Sequence, residues 1–257
     1  MAILLVAAVL LELRPRHVRE YTTINRGGRA IGTLVDLPKE VNDKTPVVVL
    51  VHEIYGLSDW AKGMADQLAD QGFIVVAPDL LSGFGPHGGG YSDFPSESDR
   101  VGAVSALDPD GVVADLDATV DYAEKLPRSS GRVAVVGFSW GGWKSFAFAT
   151  HRKNLSAVFV FYGTGPDDVA TITAPVYGFY GGADSAVSDS VSVTADEMKR
   201  AAKFYDPVTY EGADHGFMRV GEEFFTLNRA NRRARNQAFA RLVKLLRETA
   251  SANPTPH

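Results

Sequence analysis

With 257 residues, 45% hydrophobic and 22% charged, the chain can bury one sizeable core and needs neither disulfides nor a structural metal to fold. It has no cysteine, which excludes thiol catalysis, cysteine-based zinc sites and disulfide scaffolds, and leaves the redox compartment open. The formal net charge of −5 argues against a nucleic-acid binder, which normally carries a basic face.

Residues 1–11 are an unbroken apolar run that Glu12 ends. A bilayer span takes about 20 residues, so no stable membrane insertion is expected. The run lacks the basic start of a signal peptide, and no small-x-small cleavage site follows it. A clipped export signal and an N-terminal helix packed on the domain both fit. The helix is preferred, and with it a cytoplasmic location, export being the alternative. Residues 1–17 are then an apolar segment of their own, and residues 18–250 one domain.

Residues 21–24 and 30–36 flank Gly27-Gly28 and read as an opening β-hairpin. Residues 47–51 are continuous, apolar and mostly β-branched, as a buried central strand requires. A helix over 58–71, closed by Gly72, and a strand over 73–77 follow. Residues 82–96, rich in Gly, Pro and Ser, form a loop. Helices over 97–106 and 110–126 lead to a strand over 133–137, a helix over about 140–150, and strands over 157–162 and 176–180. A helix near 193–203, a strand near 208–210 and a long helix end the chain. In that last helix Ala234, Ala238, Leu242 and Leu246 recur every four residues. Arg229, Arg232, Arg233, Arg235, Arg241, Lys244 and Arg247 then fall largely on its solvated side, a plain surface rather than a polyanion site. Apolar runs alternating with helices imply an α/β fold: a mostly parallel sheet with helices on both faces. No insertion is large enough for a separate lid domain, so an open site is expected.

The strand over 133–137 runs into Gly137-Phe138-Ser139-Trp140-Gly141-Gly142, a G-x-S-x-G sequence between a strand and a helix. That context is the nucleophile elbow of the α/β-hydrolase fold, in which a strained turn exposes the serine and the next amide, here that of Trp140, faces a developing oxyanion. The bare pattern also arises by chance as a tight turn with an incidental serine; the flanking strand and helix decide for the elbow.

A serine hydroxyl needs a base, and histidine, with an ordinary pKa of about 6.5, suits it. In this fold the order is Ser, acid, His. His17, His52 and His87 precede Ser139, His151 precedes any plausible acid, and His257 is terminal. His215, in the loop after the last predicted strand, is left. Asp184, just past the strand over 176–180, is the preferred acid over Asp189, which lies farther from the strand end, and Asp214, which adjoins His215.

Together with Val51-His52-Glu53-Ile54-Tyr55-Gly56, Gly182-Ala183-Asp184 and Asp214-His215-Gly216-Phe217, the elbow resembles the dienelactone hydrolase family over residues 20–248. The resemblance implies that the amide of Ile54 joins that of Trp140 as the second oxyanion donor, and that Glu53 touches the resting nucleophile. It also implies that arginines hold a substrate carboxylate. Arg219 matches one of them, while Arg100 stands about one helical turn from the place of the other. The chain departs from the family in one respect: dienelactone hydrolases similar to it carry a cysteine nucleophile, and Ser139 stands here. A glutamate can help deprotonate a thiol but is far too weak a base for an aliphatic hydroxyl. Glu53 is therefore either an activator or a tether of the oxyanion loop. The serine itself reads as that of a natural serine esterase in preference to a substituted cysteine enzyme. Bulky Tyr55 and Trp140 fit an aromatic or short-acyl pocket, or simple packing.

Gly83-Phe84-Gly85-Pro86-His87-Gly88 fits the dinucleotide fingerprint G-x-G-x-x-G, but no helix is predicted to open behind it. His52-Glu53 lacks the second histidine of a zinc motif. Neither a cofactor nor a metal is expected. The expectation is a hydrolase that cleaves small carboxylic esters or lactones through an acyl-enzyme, with small-molecule substrates, no nucleic-acid partner and the oligomeric state left open. The rival is a non-enzymatic binding protein on a retired hydrolase fold.

Overall fold

Runs of β-branched residues make the centre of the sheet. Strands β3 (Val47–Val51), β4 (Ile74–Pro78), β5 (Val133–Phe138) and β6 (Ala157–Phe161) are buried at every position, as strands covered on both faces must be. The computed structural model describes residues 17–223, 225 and 227–251. In it these four strands join β1 (His17–Arg26), β2 (Arg29–Pro38), β7 (Val176–Gly181) and β8 (Tyr205–Tyr210) in one sheet of order β1-β2-β4-β3-β5-β6-β7-β8. β1 and β2 pair antiparallel, as do β2 and β4; every other pairing is parallel. The opening hairpin turns through Gly27 and Gly28, whose φ values of 52° and 89° suit a tight two-residue turn.

The chain leaves β3 for β4 on one side and returns to β5 on the other, so the strand order reverses between β3 and β5. Ligand sites of open α/β sheets form beyond the carboxyl ends of the strands at such a reversal. Here the register pairs Val51 with Gly137. The loop after β3 and the elbow after β5 therefore emerge side by side.

Side-chain alternation builds a core on each face. Val48 and Leu50 meet helices α1 (Asp59–Asp70) and α7 (Arg229–Ser251). Val47, Val49 and Val51 join the core that includes residues of α3 (Pro109–Glu124), α4 (Trp140–Phe148) and α5 (Ser185–Arg200). α1 starts at Ser58, which accepts from Ala61 N, α2 (Glu97–Ser105) at Ser96, which accepts from Asp99 N, and α3 at Asp108, which accepts from Gly111 N ahead of Pro109. α7 buries Ala234, Ala238, Leu242 and Leu246, the stripe expected from their spacing. Burying a leucine is worth about 1.5–3 kcal/mol and a surface ion pair about 0–1. The stripe thus anchors the helix, and contacts such as Arg241 to Asp206 at 2.9 Å and Arg235 to Glu222 at 2.6 Å only fix its rotation.

All eight expected strands are present, and the described residues contain no separate lid domain. Three elements differ in extent. β1 begins at His17 rather than near residue 21, because its alternating exposed positions belong to an edge strand and carry no apolar signal. β8 begins at Tyr205, not near 208; Pro207 obscures it, yet an edge strand tolerates proline. α5 spans Ser185–Arg200 instead of 193–203. Its first two turns are rich in Ser and Val, poor helix formers, so the start is set by tertiary structure. The expectations for residues 1–11 lie outside the described residues. Among the described residues no helix is long and apolar enough to cross a membrane.

Candidate active site

Ser139 follows β5 with φ 53° and ψ −115°, a conformation that costs a non-glycine residue energy. Its surroundings hold it there. Its amide donates to Phe161 O at 2.9 Å. A Cβ on Gly137 would collide with the Gly141 carbonyl oxygen, and one on Gly141 with those of Val51 and His52. Only glycine lets the elbow sit this close to β3.

Ser139 Oγ lies 2.8 Å from His215 Nε2, and His215 Nδ1 lies 2.6 Å from Asp184 Oδ2. A carboxylate oxygen accepts, so Nδ1 carries the ring proton; Nε2 then accepts and the Ser139 hydroxyl donates. The imidazole is 46% exposed while the Asp184 side chain is 6% exposed. One end of the relay thus faces solvent and the other is shielded. Asp184 occupies the N-cap position of α5 without making a side-chain cap bond, because His215 takes its carboxylate. The two loops are joined by Ala183 N to Ala213 O at 2.9 Å. Asp214 does point elsewhere: its Oδ2 accepts from the amides of Asn228 and Asn231, both at 2.8 Å, and its own amide donates to Asn231 Oδ1. Buried Asn231 of α7 is thus the clamp of the His215 loop, a role that nothing in its sequence surroundings marks.

Beside this relay lies a second group. Glu53, 3% exposed, accepts from Arg219 Nε at 3.2 Å and from the Tyr162 hydroxyl at 3.3 Å. The Tyr162 ring meets that of His215 edge-on, with centroids 5.1 Å apart. Burial raises the Glu53 carboxyl above its ordinary value; the charge of Arg219, the hydrogen bonds of Arg219 and Tyr162, and His215 oppose this without cancelling it. Burial, the largest single influence on Arg219, acts the other way, but Glu53, Tyr55 and Tyr162 together outweigh it and its pKa is raised. The asymmetry follows from exposure, because the Arg219 side chain keeps 33% of its surface in water and Glu53 only 4%. Burial also pushes the Tyr162 phenol well above its ordinary value, so it stays a donor. Arg219 further stacks on Tyr55, its guanidinium carbon 4.9 Å from the ring centroid. Glu53 therefore couples the loop after β3 to α6 (Phe217–Val220), a short helix not anticipated from sequence.

Ile54 lies in the turn closed by Gly56 N to Glu53 O at 3.0 Å, and Trp140 is the first residue of α4, whose amide has no intrahelical acceptor. The Trp140 indole stacks on His52, so its bulk is used in packing. Arg100 lies on Tyr91, 4.8 Å from the ring centroid, and donates to Phe94 O. Tyr162 was missed as a site residue, although its place at the carboxyl end of a strand beside β5, just before Gly163, was a usable signal.

His17, Asp36 and Asp66 gather potential metal-ligating atoms within 4.8 Å, well away in sequence from one another. Arg19 already donates to Asp36 at 2.8 Å and Asp66 at 2.5 Å and supplies the cation there. In the loop that mimics a dinucleotide fingerprint, the amides of Gly83 and Gly85 both donate to Gly89 O at 2.9 Å, and only a 3-10 turn, Tyr91–Asp93, follows.

The sequence profile of the dienelactone hydrolase family matches residues 31–250. Carboxymethylenebutenolidase 1 of Cupriavidus pinatubonensis is 31% identical over 179 residues, 67% of this chain and 75% of that protein. Carboxymethylenebutenolidase of Pseudomonas putida is 29% identical over 210 residues, 79% of this chain and 87% of that one. Among solved structures, a dienelactone hydrolase-like promiscuous phosphotriesterase from metagenomic libraries, P91, superposes with a TM-score of 0.72 at 22% identity, covering 91% of this chain and 99% of that one. That likeness shows the α/β-hydrolase fold.

Proposed function

The chain belongs to the dienelactone hydrolase family and is a carboxylic ester hydrolase, and we propose that it cleaves small esters or lactones with Ser139 as nucleophile. The observation that carries this reading is the continuous relay of Ser139 Oγ, His215 and Asp184 at 2.8 and 2.6 Å. His215 Nε2 takes the hydroxyl proton as Ser139 Oγ attacks the acyl carbon. The oxyanion that forms rests on the amides of Ile54 and Trp140. Asp184 holds the tautomer and stabilises the imidazolium. The C–O bond to the leaving group then breaks, the imidazolium protonates that oxygen, and Ser139 is acylated. Water, deprotonated by His215, attacks the acyl carbon and releases the acid, restoring the serine.

Glu53 acts as a tether. Its two hydrogen bonds go to Arg219 and Tyr162, and a serine gains little from so weak a base. The exposed remainder of Arg219 faces anionic groups of the substrate, in keeping with relatives whose name denotes a butenolide with a carboxymethyl-type substituent. The substrates are small molecules, and the exposed imidazole at the rim supports an open site.

Turnover of p-nitrophenyl acetate together with labelling by an organophosphate tests the reading. Ser139→Ala, which removes one oxygen, is expected to abolish both and keep the fold; a variant that retains full turnover overturns it.

A further inference from the structure

We propose that His52 is a positioning residue that holds both oxyanion donors in place through its imidazole. The inference rests on the reading of Ser139 as nucleophile and adds to it how the oxyanion site is kept rigid.

His52 directly follows β3 and is fully buried. Its Nδ1 lies 2.8 Å from the backbone oxygen of Glu53. A carbonyl oxygen only accepts, so Nδ1 bears the proton. That carbonyl belongs to the same planar peptide unit as the Ile54 N–H. The oxygen end of this unit also accepts from Gly56 N at 3.0 Å. Two donors at one end leave the other end, the Ile54 N–H, with a set direction. They also polarise the peptide so that its N–H is a stronger donor.

A face of the ring meets the side chain of the residue that carries the second donor. His52 stacks on the Trp140 indole with centroids 5.7 Å apart and planes 9° apart. Trp140 carries the other amide of the proposed oxyanion site. The backbones are equally close, since a Cβ on Gly141 would collide with His52 O. One imidazole thus bonds to the peptide of one donor and packs on the side chain of the other.

A space-filling role does not account for the residue type. Among the described residues His52 Nε2 is buried without a hydrogen-bond partner, a cost that an aliphatic side chain of similar volume avoids. The bond of Nδ1 to Glu53 O is what the ring offers that an aliphatic side chain lacks. Burial lowers the His52 pKa, which keeps the ring in the neutral form that this bond and the apolar stack both suit.

His52→Asn and His52→Gln separate the donor from the ring. The asparagine amide reaches the place of Nδ1–H; the glutamine amide reaches farther and leaves the Glu53 carbonyl without it. With p-nitrophenyl acetate, the Gln variant is expected to lose kcat about tenfold or more, with KM within about twofold of wild type. Its affinity for an arylboronic acid, which forms a tetrahedral adduct with serine, should weaken by a similar factor, while the Asn variant, which keeps the donor and lacks the stack on Trp140, loses clearly less of both. If the Gln variant does not fold, His52→Leu takes its place as the donor-less form. Equal impairment of the Asn and donor-less variants, an Asn variant that does not fold, or wild-type kcat and boronate affinity without the donor each overturns the inference. An active Ser139→Ala, measured alongside, instead overturns the nucleophile assignment, so the two failures are told apart.

Discussion

The His215 imidazole joins two environments: its Nδ1 lies 2.6 Å from a carboxylate of Asp184 that is almost wholly buried, while its ring is nearly half exposed at the rim. The buried bond sets the tautomer, and the exposed nitrogen is free to exchange protons with the serine. Asp184→Asn is expected to keep the fold and reduce kcat about 10⁴-fold, because the amide can donate to Nδ1 and reverse the tautomer. Turnover within tenfold of wild type would show that the bond has no part in the chemistry.

Glu53 yields a pH prediction. Its folded-state pKa is raised above the ordinary 4.5. Such a group contributes stability that is fully present below about 4.5 and is lost as the pH climbs through the folded value. Glu53→Gln cannot ionise, so the variant should gain on the wild type as pH rises from 4 towards neutrality. Urea midpoints across that range measure it, and a gap that stays level or narrows contradicts the account.

Arg219 has two duties that a substrate series can separate. Arg219→Ala should raise KM for esters bearing a carboxylate about tenfold and leave neutral esters within about threefold. The same comparison in a Glu53→Gln background removes the effect of an unpaired buried carboxylate. Equal losses on charged and neutral esters in that background would remove the anion-binding role.

The elbow depends on close backbone approach. Gly141→Ala places a methyl group against the carbonyl oxygens of Val51 and His52, neither of which can rotate away. A loss of about 1–3 kcal/mol is expected from chemical denaturation; a change below about 0.5 kcal/mol would mean that the two loops move apart freely.

The sequence by itself determined the sheet and the identity of the relay. Buried parallel strands need unbroken β-branched runs, and residues 47–51 and 133–137 display them. The elbow is a local motif, and fold order then leaves one serviceable histidine. Other features are decided only by tertiary structure, because they depend on which distant groups share a desolvated space. That Arg219 and Tyr162 meet the two oxygens of Glu53 is not written in its sequence neighbours. Arg100, plausible by spacing, is held on Tyr91. The first turns of α5 form from poor helix formers and follow directly on Asp184, the partner of His215. Asn231 holds the histidine loop from a helix that its own periodicity describes only as amphipathic. Periodicity records which face of an element is buried; it carries no record of the partner across the gap, and burial with that partner is what sets charge, tautomer and position.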